Sequence, residues 1–133
     1  MSEELIYTED YSVECGFKEI AATSKVGTIK WRYRLWASGV AECWGVFDVT
    51  SSTSENTTGS GEYRSDLFSV TLPFKMVAFS EPVIDGTATQ SCSITNAAYS
   101  KQSEVTFRLS RASAIPTDSA IKTRLHVLAE WVG

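Results

Sequence analysis

The sequence predicts an all-β fold, an antiparallel β-sandwich or jelly-roll-like head domain. Three observations predict it. Apolar and polar residues alternate through 68–74, 105–109 and 121–131, the period-two spacing that lays one face of a strand on a core. No segment carries the 3.6-residue periodicity of an amphipathic helix. The predicted strands are joined by short turns without crossover helices, which favours an antiparallel arrangement.

Taken in order, residues 11–15 alternate weakly and lead into a stretch, 16–27, that reads as irregular. A hairpin follows from about residue 28 to residue 49. Residues 51–61 are small, polar and glycine-bearing, a surface loop that buries too little apolar area to order itself. Phe68, Val70, Leu72 and Phe74 then form a strand, and the apolar run 76–79 ends at Glu81-Pro82, where proline marks an edge or a strand end. Asp85-Gly86 is a turn signal, so residues 87–95 become the next strand, with Cys92 and Ile94 facing inward. Val105, Phe107 and Leu109 define another half-buried strand, and residues 115–118 a loop. The last strand, 120–132, puts Ile121, Thr123, Leu125, Val127, Ala129 and Trp131 on one face and Lys122, Arg124, His126, Leu128 and Glu130 on the other. The chain is expected to form a single domain over 1–133, with 1–10 either a flexible lead-in or the remnant of a stem.

The hairpin is the most specific part of the chain. It holds three of the four tryptophans, at Trp31, Trp36 and Trp44. A three-residue loop, Ala37-Ser38-Gly39, has glycine where a left-handed residue is needed. That loop sets Arg34 opposite Glu42 and Arg32 opposite Trp44, cross-strand pairs worth about 0.2–1 kcal/mol each. A two-residue loop at Ser38-Gly39 would lose the Arg34–Glu42 match. The other surface gathers Ile29, Trp31, Tyr33 and Leu35 against Ala41, Cys43, Gly45 and Phe47, apolar enough to be the buried one. Gly45, near Trp31, leaves room for the indole.

Composition narrows the function. At 133 residues the chain is long enough to bury a core without metals or disulfides. A net charge of −4 argues against a nucleic-acid partner, despite the short basic run Lys30, Arg32 and Arg34. Cys15, Cys43 and Cys92 lie far apart, with no paired-cysteine or Cys/His spacing that would hold zinc, and are expected to be buried free thiols. No metal or other cofactor is expected. The acidic N-terminus lacks the basic and apolar regions of a secretory signal peptide, and no apolar run approaches the roughly 18 residues of a membrane span.

Catalytic patterns are sparse. His126, the only histidine, sits within a predicted strand beside Arg124 and Glu130, where an exposed or interface role outweighs that of a general base. No nucleophile elbow, phosphate loop or zinc-protease motif is present. Carboxylate pairs such as Asp66 with Glu81 or Asp85 could in principle cleave glycosides, but surface carboxylates are common. The expectation is a non-enzyme.

From Trp31 to Gly45 the pattern Trp-x-Tyr-Arg-x-Trp-x-Ser-Gly-x-Ala-Glu-Cys-Trp-Gly resembles the C-terminal domains of tail-fibre and baseplate appendage proteins from phages and prophages of Gram-positive bacteria. Asp10-Tyr-Ser-Val-Glu14, Leu72-Pro-Phe74, Phe79-Ser-Glu-Pro-Val83 and the ending Val127 to Trp131 fit the resemblance. It implies a trimeric β-structured head at the tip of a fibre, made in the bacterial cytoplasm and carried on the virion, that attaches to a saccharide on the host cell surface. The expected partners are therefore two further copies and a host glycan. The alternatives are a structural trimerisation domain at a fibre end and a free-standing carbohydrate-binding module.

Candidate ligand-binding residues are the polar and aromatic groups outside the predicted core: Arg32, Arg34, Trp36, Trp44 and His126, with Asn56 and Asp85 as loop candidates. Aromatic faces beside charged groups suit sugars. The same residues suit a structural role better, riveting two strands or packing on a neighbouring subunit.

Overall fold

The computed structural model describes residues 11–56 and 61–132; the expected lead-in 1–10 and the centre of the polar run lie outside them. In chain order the strands are β1 (Ser12–Ile20), β2 (Ile29–Trp36), β3 (Val40–Val49), β4 (Glu55–Asn56), β5 (Tyr63–Arg64), β6 (Phe68–Thr71), β7 (Val83–Ala88), β8 (Ser93–Lys101), β9 (Glu104–Arg111) and β10 (Ile121–Glu130). They form two antiparallel sheets, a β-sandwich. One is five-stranded in the order β1-β2-β3-β10-β7; the other runs β4-β5-β9-β6, with β8 on the far side of β9.

The period-two patterns become the core. Ile29, Trp31 and Leu35 of β2, Ala41, Cys43, Phe47 and Val49 of β3, and Ile121, Leu125 and Val127 of β10 face Phe68, Val70, Val105, Phe107 and Leu109 of the second sheet. Phe107 is central, tilted against Phe47 at 6.1 Å and against Phe68 at 5.5 Å.

Trp31 couples the two layers. It is 1% exposed. On its own sheet the indole lies over Gly45, its direct partner in the β2–β3 register. Toward the other sheet its Nε1–H donates to the Thr71 carbonyl at 2.8 Å. A Cβ built on Gly45 would stand 2.5 Å from two indole carbons. Along the same row Leu125 follows Gly45 and Gly86 follows Leu125, so large and small residues alternate across four strands. This is the hairpin register expected from the three-residue loop, with Arg34 opposite Glu42 and Arg32 opposite Trp44; Gly39 takes the left-handed conformation at φ 96°.

Four expectations are corrected. The stretch 16–27 is not wholly irregular, because β1 continues to Ile20. It is an edge strand exposed on both faces, so no burial pattern marks it, and hydrogen bonding to β2 defines it. For the same reason Cys15 is exposed, while Cys43 and Cys92 are buried. Asp85-Gly86 is not a turn; both lie inside β7, paired with His126 and Leu125. Glycine stands there because a Cβ would come within 2.1 Å of the Arg124 carbonyl oxygen. The chain reverses instead at Gln90-Ser91, both left-handed (φ 63° and 60°), with the Cys92 N–H donating to the Thr89 carbonyl at 3.3 Å. Such a mirror-image turn usually announces itself by Asn-Gly or Asp-Gly, and here it does not.

The polar run 51–61 is the fourth. Its first residue, Ser51, is fully buried, and Glu55–Asn56 forms β4 against β5. Hydroxyl groups explain the burial: they replace water as partners for backbone and carboxylate. Ser51 Oγ donates to the Thr53 carbonyl at 2.6 Å and accepts from the Asp66 N–H at 2.9 Å.

Replacing Gly45 by alanine tests the Trp31 seat. Gly45→Ala should lower the unfolding free energy by about 3 kcal/mol, read as a fall in the urea midpoint at constant slope.

Candidate functional site

Side chains of the five-stranded sheet that point away from the core form rows across all five strands. The central row reads Phe17, Arg32, Trp44, His126 and Asp85 on β1, β2, β3, β10 and β7. On one side lies the row Cys15, Arg34, Glu42, Leu128 and Val83; on the other, Glu19, Lys30, Val46, Arg124 and Thr87. Of the candidates named from sequence, this face brings together Arg32, Arg34, Trp36, Trp44, His126 and Asp85. Asn56 is on β4 in the other sheet. Asp85 joins the site as a strand residue rather than a loop residue.

Contacts along the central row are continuous. The Arg32 guanidinium stands over the Trp44 ring, 5.0 Å from its centroid. The His126 imidazole stacks on Trp44 at 5.4 Å with 15° between planes. His126 Nε2 meets Glu42 Oε2 at 2.7 Å, and Nδ1 faces Asp85 Oδ1 at 3.5 Å. Trp44 thus has a cation on one side and an imidazole on the other. The register of Arg34 opposite Glu42 holds, but the expected ion pair is not made: Glu42 turns to His126, and Arg34 lies over Trp36 at 5.3 Å. A guanidinium loses little by moving from a half-buried carboxylate at the sheet surface to an indole face, since surface ion pairs contribute only about 0–1 kcal/mol.

Hollows flank this row. One of about 560 Å³ lies between Phe17, Lys30, Arg32, Trp44 and Val46. Another, of about 270 Å³, lies between Trp44, Val46, Thr87, Arg124 and His126. Among the described residues, Lys30, Arg32, Arg34 and Arg124 have no carboxylate within ion-pair distance, so the face presents donors to an incoming ligand. Sequence reasoning did not single out Phe17, Thr87 or Arg124. Arg124 was legible from its place two residues before His126; Phe17 was hidden in a stretch read as irregular.

The face offers a ligand stacking surfaces and hydrogen-bond donors. His126 holds its two carboxylates at opposite ring nitrogens, so they do not converge on one point. Among the described residues no three His, Cys, Asp or Glu side chains gather as metal ligands. Asp66, the carboxylate weighed for glycoside cleavage, is committed elsewhere. Its Oδ2 accepts from the Ser52 N–H at 2.7 Å, the Ser52 hydroxyl at 2.6 Å and Lys25 Nζ at 3.1 Å, and its Oδ1 accepts from the Thr53 hydroxyl. Asp85 faces His126. Burial also pushes the Cys43 thiol far above its ordinary range and raises Cys92, leaving both poor nucleophiles.

Burial alone would raise the Asp66 carboxyl, but the donors from Ser52, Thr53 and Lys25 outweigh it and hold the group well below the ordinary carboxylate range. With the folded value depressed, its stabilisation is complete above the unfolded value of about 3.9 and is lost as pH falls toward the folded value. Asp66→Asn should therefore cost about 2 kcal/mol at neutral pH. The gap to the wild type should begin to narrow below about pH 4 and keep shrinking as pH falls further, in acid titrations of urea stability.

Compared with known proteins, the chain matches no family model, no curated protein and no solved structure.

Proposed function

We propose that this domain is a non-enzymatic receptor-binding head of a phage tail fibre or baseplate, carried on the virion and acting as a homotrimer that recognises a glycan on the surface of its bacterial host. The observation that carries the reading is the exposed row Arg32–Trp44–His126–Asp85 with the hollow beside it. A pyranose has an apolar C–H face and a rim of hydroxyls. Val46 and the edge of Trp44 suit the first; Arg124, Thr87 and His126 suit the second. Glu42 and Asp85 orient His126 from both sides, which limits the ordering needed when ligand arrives. Shallow contacts of this kind bind weakly, and three copies on one head convert weak sites into useful avidity.

One observation favours a second reading, a structural trimerisation domain at a fibre end. Both sides of the Trp44 ring are covered by its own sheet neighbours, as suits a rivet between strands more than an open stacking platform. In that case the glycan is held elsewhere on the fibre.

The two readings separate on an array of purified cell-wall polysaccharides from Gram-positive bacteria. The receptor-binding reading expects retention of the protein on one class of polysaccharide. It further expects at least tenfold weaker retention for Arg124→Ala, whose exposed side chain contributes nothing to the core, at an unchanged melting temperature. Binding to none of the array, or full binding by Arg124→Ala, overturns the assignment of this face. New reducing ends released from the bound polysaccharide would overturn its non-enzymatic character.

A further inference from the structure

Two features of the chain match each other without meeting in one molecule. The first is a knob. Phe79 precedes β7 at one side of the five-stranded sheet, holds a left-handed backbone at φ 59°, and is 90% exposed. A phenylalanine seldom adopts that conformation, because its Cβ crowds the backbone. Here a tight reversal imposes it, closed by the Ser80 N–H donating to the Val77 carbonyl at 3.1 Å, with Tyr99 6.5 Å from the ring. The surrounding lining is apolar, with Val77, Val83 and Leu128, and its charged groups are Glu81 and Glu130.

The second is a hole. The hollow of about 560 Å³ beside Phe17 belongs to the β1 side of the same sheet, the opposite edge from β7. Its walls are the rings and stems of Phe17, Trp44, Val46, Lys30 and Arg32, and its charge is the reverse: Lys18, Lys30 and Arg32 against Glu19 alone. Phe17 is itself 83% exposed. The apolar knob with acidic neighbours and the apolar hole with basic ones thus match in apolar character and oppose each other in charge, toward opposite sides of one sheet.

We propose that Phe79 of one copy seats in the hollow beside Phe17 of a second copy, with Glu81 against Lys30 and Arg32. This is a head-to-tail contact that rests on the homotrimer reading and places the subunit boundary at these two edges. Different patches meet in such a contact, so each copy keeps a free knob and a free hole until the ring closes, at three copies for a threefold axis. The hollow beside Arg124 and His126 shares Trp44 and Val46 with the seat, so the glycan site adjoins the subunit boundary, and only its Thr87, Arg124 and His126 side lies outside the contact.

Light scattering on a sizing column tests this with two variants of the full chain, Phe79→Asn and Phe17→Asn. Asparagine tolerates the left-handed conformation, so Phe79→Asn removes the knob while relieving its backbone, and Phe17→Asn changes a side chain outside the core. The wild type is expected at the mass of three chains and each variant alone at one. Their mixture is expected at two, because the knob of Phe17→Asn still fits the hole of Phe79→Asn. The charge-swapped pair Glu81→Lys and Lys30→Glu should each dissociate alone and reassemble when combined in one chain. A wild type of one chain overturns the homotrimer and the contact with it. A trimeric wild type whose Phe79→Asn variant stays trimeric, or whose variant mixture stays monomeric, overturns the contact and leaves the trimer standing. A wild type of two chains with a restored mixture keeps the contact and overturns threefold closure.

Discussion

The seat of Trp31 is the constraint on which the sandwich depends. Its indole spans the space between the sheets, covers Gly45 on one side and satisfies the Thr71 carbonyl on the other. A buried indole N–H without a partner costs about 1–3 kcal/mol, so the hydrogen bond fixes the distance and direction in which the layers approach. The ring also fixes strand register. Slipping β3 by one residue would bring a side chain under the indole and turn every inward residue of β3 outward.

That register writes the outer face. Once Trp31 is opposite Gly45, Arg32 is opposite Trp44, and the pairing of β3 with β10 and β7 adds His126 and Asp85 to the same line. The exposed row thus follows from a buried one. Its side chains then choose partners by local electrostatics rather than by sheet position. Glu42 serves the imidazole, and the guanidiniums take the indoles, an arrangement that places cations and aromatic edges toward solvent without internal neutralisation.

How far this was legible in the sequence varies with the kind of signal. Strands with one buried face, such as β9 and β10, announced themselves by alternation, and the hairpin by its loop and its paired residues. β1 did not, since a strand exposed on both sides has no pattern to read. The reversal at Gln90-Ser91 was missed because ordinary residues occupy left-handed positions there, while Asp85-Gly86 imitated a turn although its glycine serves close approach to the Arg124 carbonyl. Ser51 looked like loop because composition counts a hydroxyl as polar and is blind to the backbone groups of Thr53 and Asp66 that it satisfies. Within the site, Arg32, Arg34, Trp36, Trp44 and His126 could be placed outside the core from periodicity, and Arg124 beside His126 by the same alternation; Thr87 was decipherable only once β7 was known to lie beside β10.

The exposure of β1 has a thermodynamic consequence. This strand buries little; cross-strand hydrogen bonds to β2 and the contact between Tyr33 and Glu14 are what hold it. It belongs to the weakly protected end of the native ensemble and can open locally while the core stays intact. Phe17 therefore stands on an edge strand that contributes little to the core of the sheet it helps to present. Whatever engages Phe17 binds the closed form alone, so its apparent affinity carries the free energy of keeping β1 in place, and a bound partner in turn slows amide exchange along that strand.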